Sequence, residues 1–223
     1  MTDHGRGMTM VLAAAVCFGL CPLFAGLAMS DGVSPVTATV ARFSIPLAFL
    51  LPWFRLRRGD GGEALRMAAL GAVNGIGVLL YFRALDAVPA ATVVTIYYTY
   101  PAFAAAVGWA LFGRRPTARG LVAVALVIVG AAVGLGPERL SSGAVGAIAG
   151  AFVAPLAFSL IIHYLAAPWR PMPLLARVTS CLLGTLLALV PLALHDVAPG
   201  VETPSLAAAG ALLALGVLTA LLP

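Results

Sequence analysis

Only 9% of the 223 residues are charged and 62% are hydrophobic, whereas a soluble domain carries about 25% charged residues, so a water-facing surface cannot be built from this composition. The net charge of +5 is made without lysine, and its arginines sit between apolar runs rather than along one face, which argues against nucleic acid as a partner. Cys17, Cys21 and Cys181 are odd in number and lie inside apolar runs, so neither a disulfide framework nor a thiolate metal site is expected.

Apolar runs of about 20 residues, the length a bilayer core of roughly 30 Å requires, recur along the whole chain. They predict an all-α polytopic membrane protein with eight transmembrane helices, at 8–29, 35–54, 65–83, 90–112, 119–136, 143–166, 174–194 and 204–223. The first run follows Arg6 and is succeeded at once by further spans, so it reads as a membrane helix rather than a cleaved signal peptide. The connections carry helix-ending residues, as in Ser30-Asp31-Gly32 and Ala198-Pro199-Gly200.

The second helix contains Arg42, about a third of the way in from its outer end. An arginine at mid-membrane costs about 2.5–3.5 kcal/mol on insertion scales, which makes it a functional candidate. Its guanidinium can hold a substrate carboxylate or phosphate by paired hydrogen bonds; bonding to carbonyls freed by Pro46, or snorkelling outward, is the structural alternative. In the third helix Asn74 lies beside Gly75 and Gly77, and its amide needs a partner on another helix, in water or on a substrate. The fourth helix carries Tyr97, Tyr98 and Tyr100 ahead of Pro101. Pro101 removes a backbone hydrogen bond near the midplane, where interrupted helices line binding sites, and hydroxyls beside it suit a polar organic substrate. Tyr97 and Tyr100 share a face, and Tyr98 points elsewhere.

In the sixth helix Ser159 and His163 are four residues apart and share a face. One helix does not supply nucleophile, base and oxyanion hole together, so catalysis is not expected, and His163 is kept as a gating or proton-linked candidate. The pairs Gly71/Gly75, Gly130/Gly134 and Gly146/Gly150 are explained by close helix packing. No Walker A loop, HExxH motif or dinucleotide fingerprint is present, and no cofactor or metal is expected.

Arginine asymmetry orients the helices. The N-terminus and the second, fourth and sixth connections hold Arg6, Arg55, Arg57, Arg58, Arg66, Arg114, Arg115, Arg119, Arg170 and Arg177, and the odd ones hold Arg83 and Arg139. The N-terminus is therefore expected in the cytoplasm. Sliding the sequence by 139 residues superposes Pro52 on Pro191, Gly71 on Gly210, and Gly77-Val78-Leu79 on Gly216-Val217-Leu218. A shift of five helices inverts the second unit in the membrane, as in many secondary transporters. On this reading residues 1–139 form one five-helix unit and 140–223 a partial second one with three helices. Eight of an expected ten helices are then present, and an intact chain would run to about 280 residues.

Ala41-Arg42-Phe43, Tyr81-Phe82-Arg83-Ala84-Leu85, Tyr100-Pro101-Ala102-Phe103 and Gly113-Arg114-Arg115-Pro116-Thr117-Ala118-Arg119-Gly120 together resemble the EamA-like family of the drug/metabolite transporter superfamily. The resemblance spans nearly the whole chain and implies ten helices in two inverted repeats with both termini cytoplasmic. The stretch from Leu215 to Pro223 resembles the eighth helix of the family's amino-acid exporters, broken off partway. One departure is Arg114 or Arg115 at the end of the fourth helix, where the family usually has an acidic residue. The implied function is a secondary transporter, exporting a small organic metabolite such as an amino acid across a bacterial plasma membrane, with proton exchange taken from the family. The pocket would be walled by the first, third, fourth and sixth helices. Expected partners are the lipid bilayer and a small-molecule substrate, and a homodimer is left open. The alternatives are an intramembrane enzyme acting on a lipid-linked substrate, and a non-transporting fragment that needs a partner.

Overall fold

A computed structural model describes residues 3–134, 142–166, 172–196 and 205–220. The expected connections around Arg139, Arg170 and Ala198-Pro199-Gly200, and the ends of the fifth and eighth expected helices, lie outside them. Every described element is helical: α1 (Asp3–Ser30), α2 (Pro35–Leu50), α3 (Gly61–Ala87), α4 (Ala90–Tyr97), α5 (Tyr100–Phe112), α6 (Ala118–Gly134), α7 (Ser142–Ala151), α8 (Val153–Ala166), α9 (Leu174–Asp196) and α10 (Leu206–Ala220). Among the described residues, six continuous or interrupted helices are long and apolar enough to cross a bilayer, and Ala118–Gly130 and Leu206–Val217 are shorter apolar segments. The protein is a polytopic helical membrane protein.

Local chemistry explains where these helices start and stop. Ser34 caps α2 by accepting from the Thr37 amide at 3.1 Å, with Pro35 at the first turn. Helix α2 ends at Leu50, earlier than expected, and passes into a single 3-10 turn over Leu51–Trp53, because Pro52 has no N–H to continue the ladder. Helix α3 runs longer than expected at both ends. Asp60 accepts the Arg57 amide at 2.9 Å and turns the chain into Gly61, and Glu63 in the first turn complements the helix dipole. Gly113 ends α5 in the left-handed region at φ 65°, with the Arg114 amide reaching back to the Gly108 carbonyl at 2.9 Å.

The fourth and sixth expected helices are each two helices, not one. The chain turns at Tyr98-Thr99 between α4 and α5. Pro101 cannot give the Tyr97 carbonyl an N–H, and the Thr99 amide closes a tight turn on the Ile96 carbonyl at 3.0 Å. The second break falls at Phe152 between α7 and α8, three residues before Pro155. Pro155 deprives the Ala151 carbonyl in the same way.

Helix α3 is the hub. It packs on α9, α8, α7 and α2. A Cβ on Gly71 would collide with the Cys181 carbonyl, and one on Gly184 of α9 would collide with the Ala68 carbonyl, so α3 and α9 meet backbone to backbone. Buried Thr185 donates its hydroxyl to the Gly71 carbonyl at 2.7 Å across this contact. A Cβ on Gly77 would lie 3.0 Å from the Ala154 Cα, which seats α8 just past its break. The packing has a reciprocity: α1 lies on α10 as α7 and α8 lie on α3, α2 lies on α10 as α9 lies on α3, and α2 and α9 lie on each other.

Gly71→Ala is expected to lower stability by about 1–3 kcal/mol, the usual cost of overpacking. Gly19→Ala, with open space around it, is expected to leave the detergent-solubilised melting temperature unchanged. Equal melting temperatures for the two variants would refute the backbone-to-backbone contact.

Candidate functional site

The two helix breaks lie beside one another. Ser159 of α8, fully buried, has its hydroxyl 2.6 Å from the Pro155 carbonyl and 3.0 Å from the Tyr100 carbonyl. It therefore bridges the start of α5 and the start of α8. In a bilayer core buried hydroxyls as well as backbone groups need protein partners, and this one finds two carbonyls, one on each interrupted helix.

An aromatic cavity of about 360 Å³ opens at this junction. Its walls are Ala14, Ala15, Phe18, Gly19 and Pro22 of α1, Tyr81 of α3, Val94, Tyr97, Tyr98 and Tyr100 around the first break, and Phe158 and Ile162 of α8. The rings are in mutual contact. Tyr97 lies 5.5 Å from Tyr81, 6.2 Å from Tyr100 and 6.0 Å from Phe158, centroid to centroid, and Phe158 meets Phe18 edge-on at 5.8 Å. Such pairs prefer tilted and edge-to-face geometry, which gives the cavity a stiff wall.

A smaller recess continues from it toward α2, lined by Phe18, Cys21, Pro22, Arg42, Val78, Tyr81 and Tyr97. Arg42 sits here with 8% of its surface exposed. Its Nη1 is 2.6 Å from the Cys21 sulfur, and its guanidinium carbon lies 5.6 Å from the Phe43 ring centroid. Among the described residues its Nε has no hydrogen-bond partner.

Of the residues singled out in the sequence, the structure brings Arg42, Tyr97, Tyr98 and Tyr100 together around this space. Tyr98 is half exposed, at the rim. Asn74 is partly buried on α3, on the face of Val78 and Tyr81 but outside the cavity lining. Pro101 and His163 line a separate cleft between α5, α6 and α8, with Arg114 and Arg115. There His163 Nδ1 donates to the Ser159 backbone carbonyl at 2.8 Å and the ring stacks on Phe112 at 5.2 Å. The serine hydroxyl and the imidazole are not bonded to each other, so they do not form a nucleophile–base pair. Among the described residues no cluster of three or more metal-ligating side chains occurs.

Sequence reasoning missed Phe18, Tyr81 and Phe158 as wall residues and Ser159 as the bridge. Tyr81 was within reach, being one turn from Val78 and two from Asn74 on one helical face. Phe158 was not, because only the break before it turns it toward Tyr97. Also missed was an ion pair at the arginine-rich end. Glu63 of α3 and Arg177 of α9 are both buried and approach to 4.0 Å, and the Arg177 guanidinium also donates to the Leu165 carbonyl of α8 at 2.5 Å. One cation thus ties together three helices.

The aromatic cavity lies at the breaks of two membrane helices, and transporter sites commonly form where helices are interrupted. A model of the EamA-like transporter family matches residues 5–135, more than half of the chain, and the protein belongs to that family. No curated protein and no solved structure matches the chain.

Removing one partner of a buried ion pair costs about 3–5 kcal/mol because the other charge is left uncompensated. Glu63→Gln is therefore expected to lower the melting temperature clearly, and Glu63→Gln with Arg177→Gln to recover part of the loss. A double variant that loses the full sum of both single losses would show that the two groups are not coupled.

Proposed function

We propose that this protein is a secondary transporter that exports a small organic metabolite, of about the size of an amino acid, from a bacterial cell. The observation that carries this reading is the cavity between α1, α3, α4–α5 and α8, placed where two membrane helices break. Interrupted helices offer backbone groups to a polar substrate and hinge without dismantling the bundle. The family supports transport as such; the direction, the cargo and the coupling are this proposal.

The arginine-rich ends of the helices face the cytoplasm in this reading, by the positive-inside bias. Residues 1–139 and 140–223 act as two inverted units that rock against each other, a reading supported by the reciprocal packing of α1 on α10 and of α7–α8 on α3. The substrate contacts are Arg42, Tyr97, Tyr98 and Tyr100, with Pro101 making the break that places the tyrosines and Asn74 one turn outside the cavity on α3. His163 is the proton-linked group, in the cleft beside Arg114 and Arg115.

Everted vesicles containing the full chain are expected to accumulate at least one labelled solute from a panel of amino acids and organic acids. Arg42→Ala is expected to lower the initial rate by about tenfold or more, the loss of one charge-assisted hydrogen bond. Tyr97→Phe should change KM, and both variants should insert into the membrane at the wild-type level. Wild-type kinetics in both would overturn the pocket assignment. Collapsing the proton gradient should slow the wild type and leave His163→Gln unaffected; equal slowing of the two would remove His163 from the coupling.

A further inference from the structure

Among the described residues, the recess beside the aromatic cavity holds a charge with no carboxylate in its lining. A guanidinium carries five N–H donors and is always protonated. Arg42 has been given a thiol, a weak acceptor, and the face of the Phe43 ring. Its Nε, buried, has no hydrogen-bond acceptor among the described residues. The other residues lining the recess and the cavity contribute rings, alkyl groups and tyrosine hydroxyls, and no carboxylate. In the sequence, all eight aspartates and glutamates fall in connections or near helix ends. Natural proteins pair a buried arginine, and one left short of acceptors at the wall of a cavity is completed by what enters the cavity.

We propose that the cargo is an organic anion, whose carboxylate or phosphate docks on Arg42 while its body lies against Tyr97, Tyr81 and Phe158. This rests on the transport reading of the same site and specifies its substrate class. The anion supplies the missing acceptors and neutralises the guanidinium. The aromatic cavity, at about 360 Å³, is at the small end of ligand sites and suits a body of roughly a dozen non-hydrogen atoms, taking about 30 Å³ for each as for a water molecule in liquid. Its walls favour an apolar or aromatic body and offer an ammonium group no carboxylate, which sets an anion apart from a zwitterion or an amine.

Cys21 reports on this directly, because its sulfur contacts the group the anion would engage. The full chain carrying Cys17→Ser and Cys181→Ser, reconstituted in lipid nanodiscs, leaves Cys21 as the sole thiol and is treated with N-ethylmaleimide. Four probes of similar size are titrated: phenylacetate, phenyl phosphate, phenylacetamide and phenethylamine. At ten times its dissociation constant a competing anion should slow alkylation about tenfold, by mass action. The amide and the amine should leave the rate within about twofold. Protection should vanish in Arg42→Gln and persist in Arg42→Lys, which keeps the charge and guards against a folding defect. Where Cys21 does not react in the unliganded protein, the same probes are ranked by the shift they cause in unfolding temperature, under the same criteria.

Protection by only one of the two anions identifies carboxylate or phosphate as the docking group. Equal protection by the amide or the amine, no protection by either anion, or protection that survives Arg42→Gln overturns the proposal. Vesicles that move no solute overturn the transport reading instead, so the two failures are told apart.

Discussion

Helices in a bilayer gain little from burying apolar side chains against one another, since lipid is as apolar as leucine; they associate through close packing and hydrogen bonds. Helix α3 is built for this. Gly71, Gly75 and Gly77 strip side chains from the surfaces that meet α9 and α8, and Gly184 does the same on α9 in return. Backbones so close place the Gly71 carbonyl within reach of Thr185, and the hydrogen bond then fixes the register of the crossing. Tyr81 and Val78 are carried on the same helix, so the aromatic cavity inherits its position from this contact.

The two breaks depend on the same framework. Pro101 and Pro155 each withhold an N–H in a medium that supplies no water to replace it. Gly77 lets α8 lie against α3 just past its break, and Ser159 is shared between the carbonyls of Pro155 and Tyr100. The result is a pair of helix ends joined by a hydroxyl, with Tyr97, Tyr100 and Phe158 turned toward one another. At the arginine-rich end, Arg177 holds α9 to Glu63 of α3 and to the last turn of α8. The middle of the bundle is therefore hollow and its end is tied.

Much of this was legible in the chain. Apolar runs spaced by arginine and by Gly, Pro and Asp located the helices to within a few residues, because a bilayer of fixed thickness demands a fixed length of apolar helix. Arg42 drew attention by cost alone, and the tyrosines by their place before Pro101. What periodicity could not show was the interruption at Phe152, since Pro155 sits in a segment apolar on every side. Nor could it show that Asn74 stands one turn outside the cavity, or that His163 faces a different cleft. Those are matters of rotation about a helix axis, and a helix apolar all round carries no phase signal to read.

Composition and pattern alone determined that the protein lives in a membrane, how many apolar segments it has, which ends carry the arginines, and which buried residue is costly enough to need a reason. These follow from the chain because transfer into lipid is paid residue by residue. Only the tertiary structure decided that Ser159 of one broken helix bonds the Tyr100 carbonyl of the other, that Glu63 meets Arg177 across more than a hundred residues of chain, and that Cys21 is the thiol beside Arg42. Each of these needs two helices at a particular separation and rotation. That geometry is set by where glycine allows backbones to touch, and no single segment contains it.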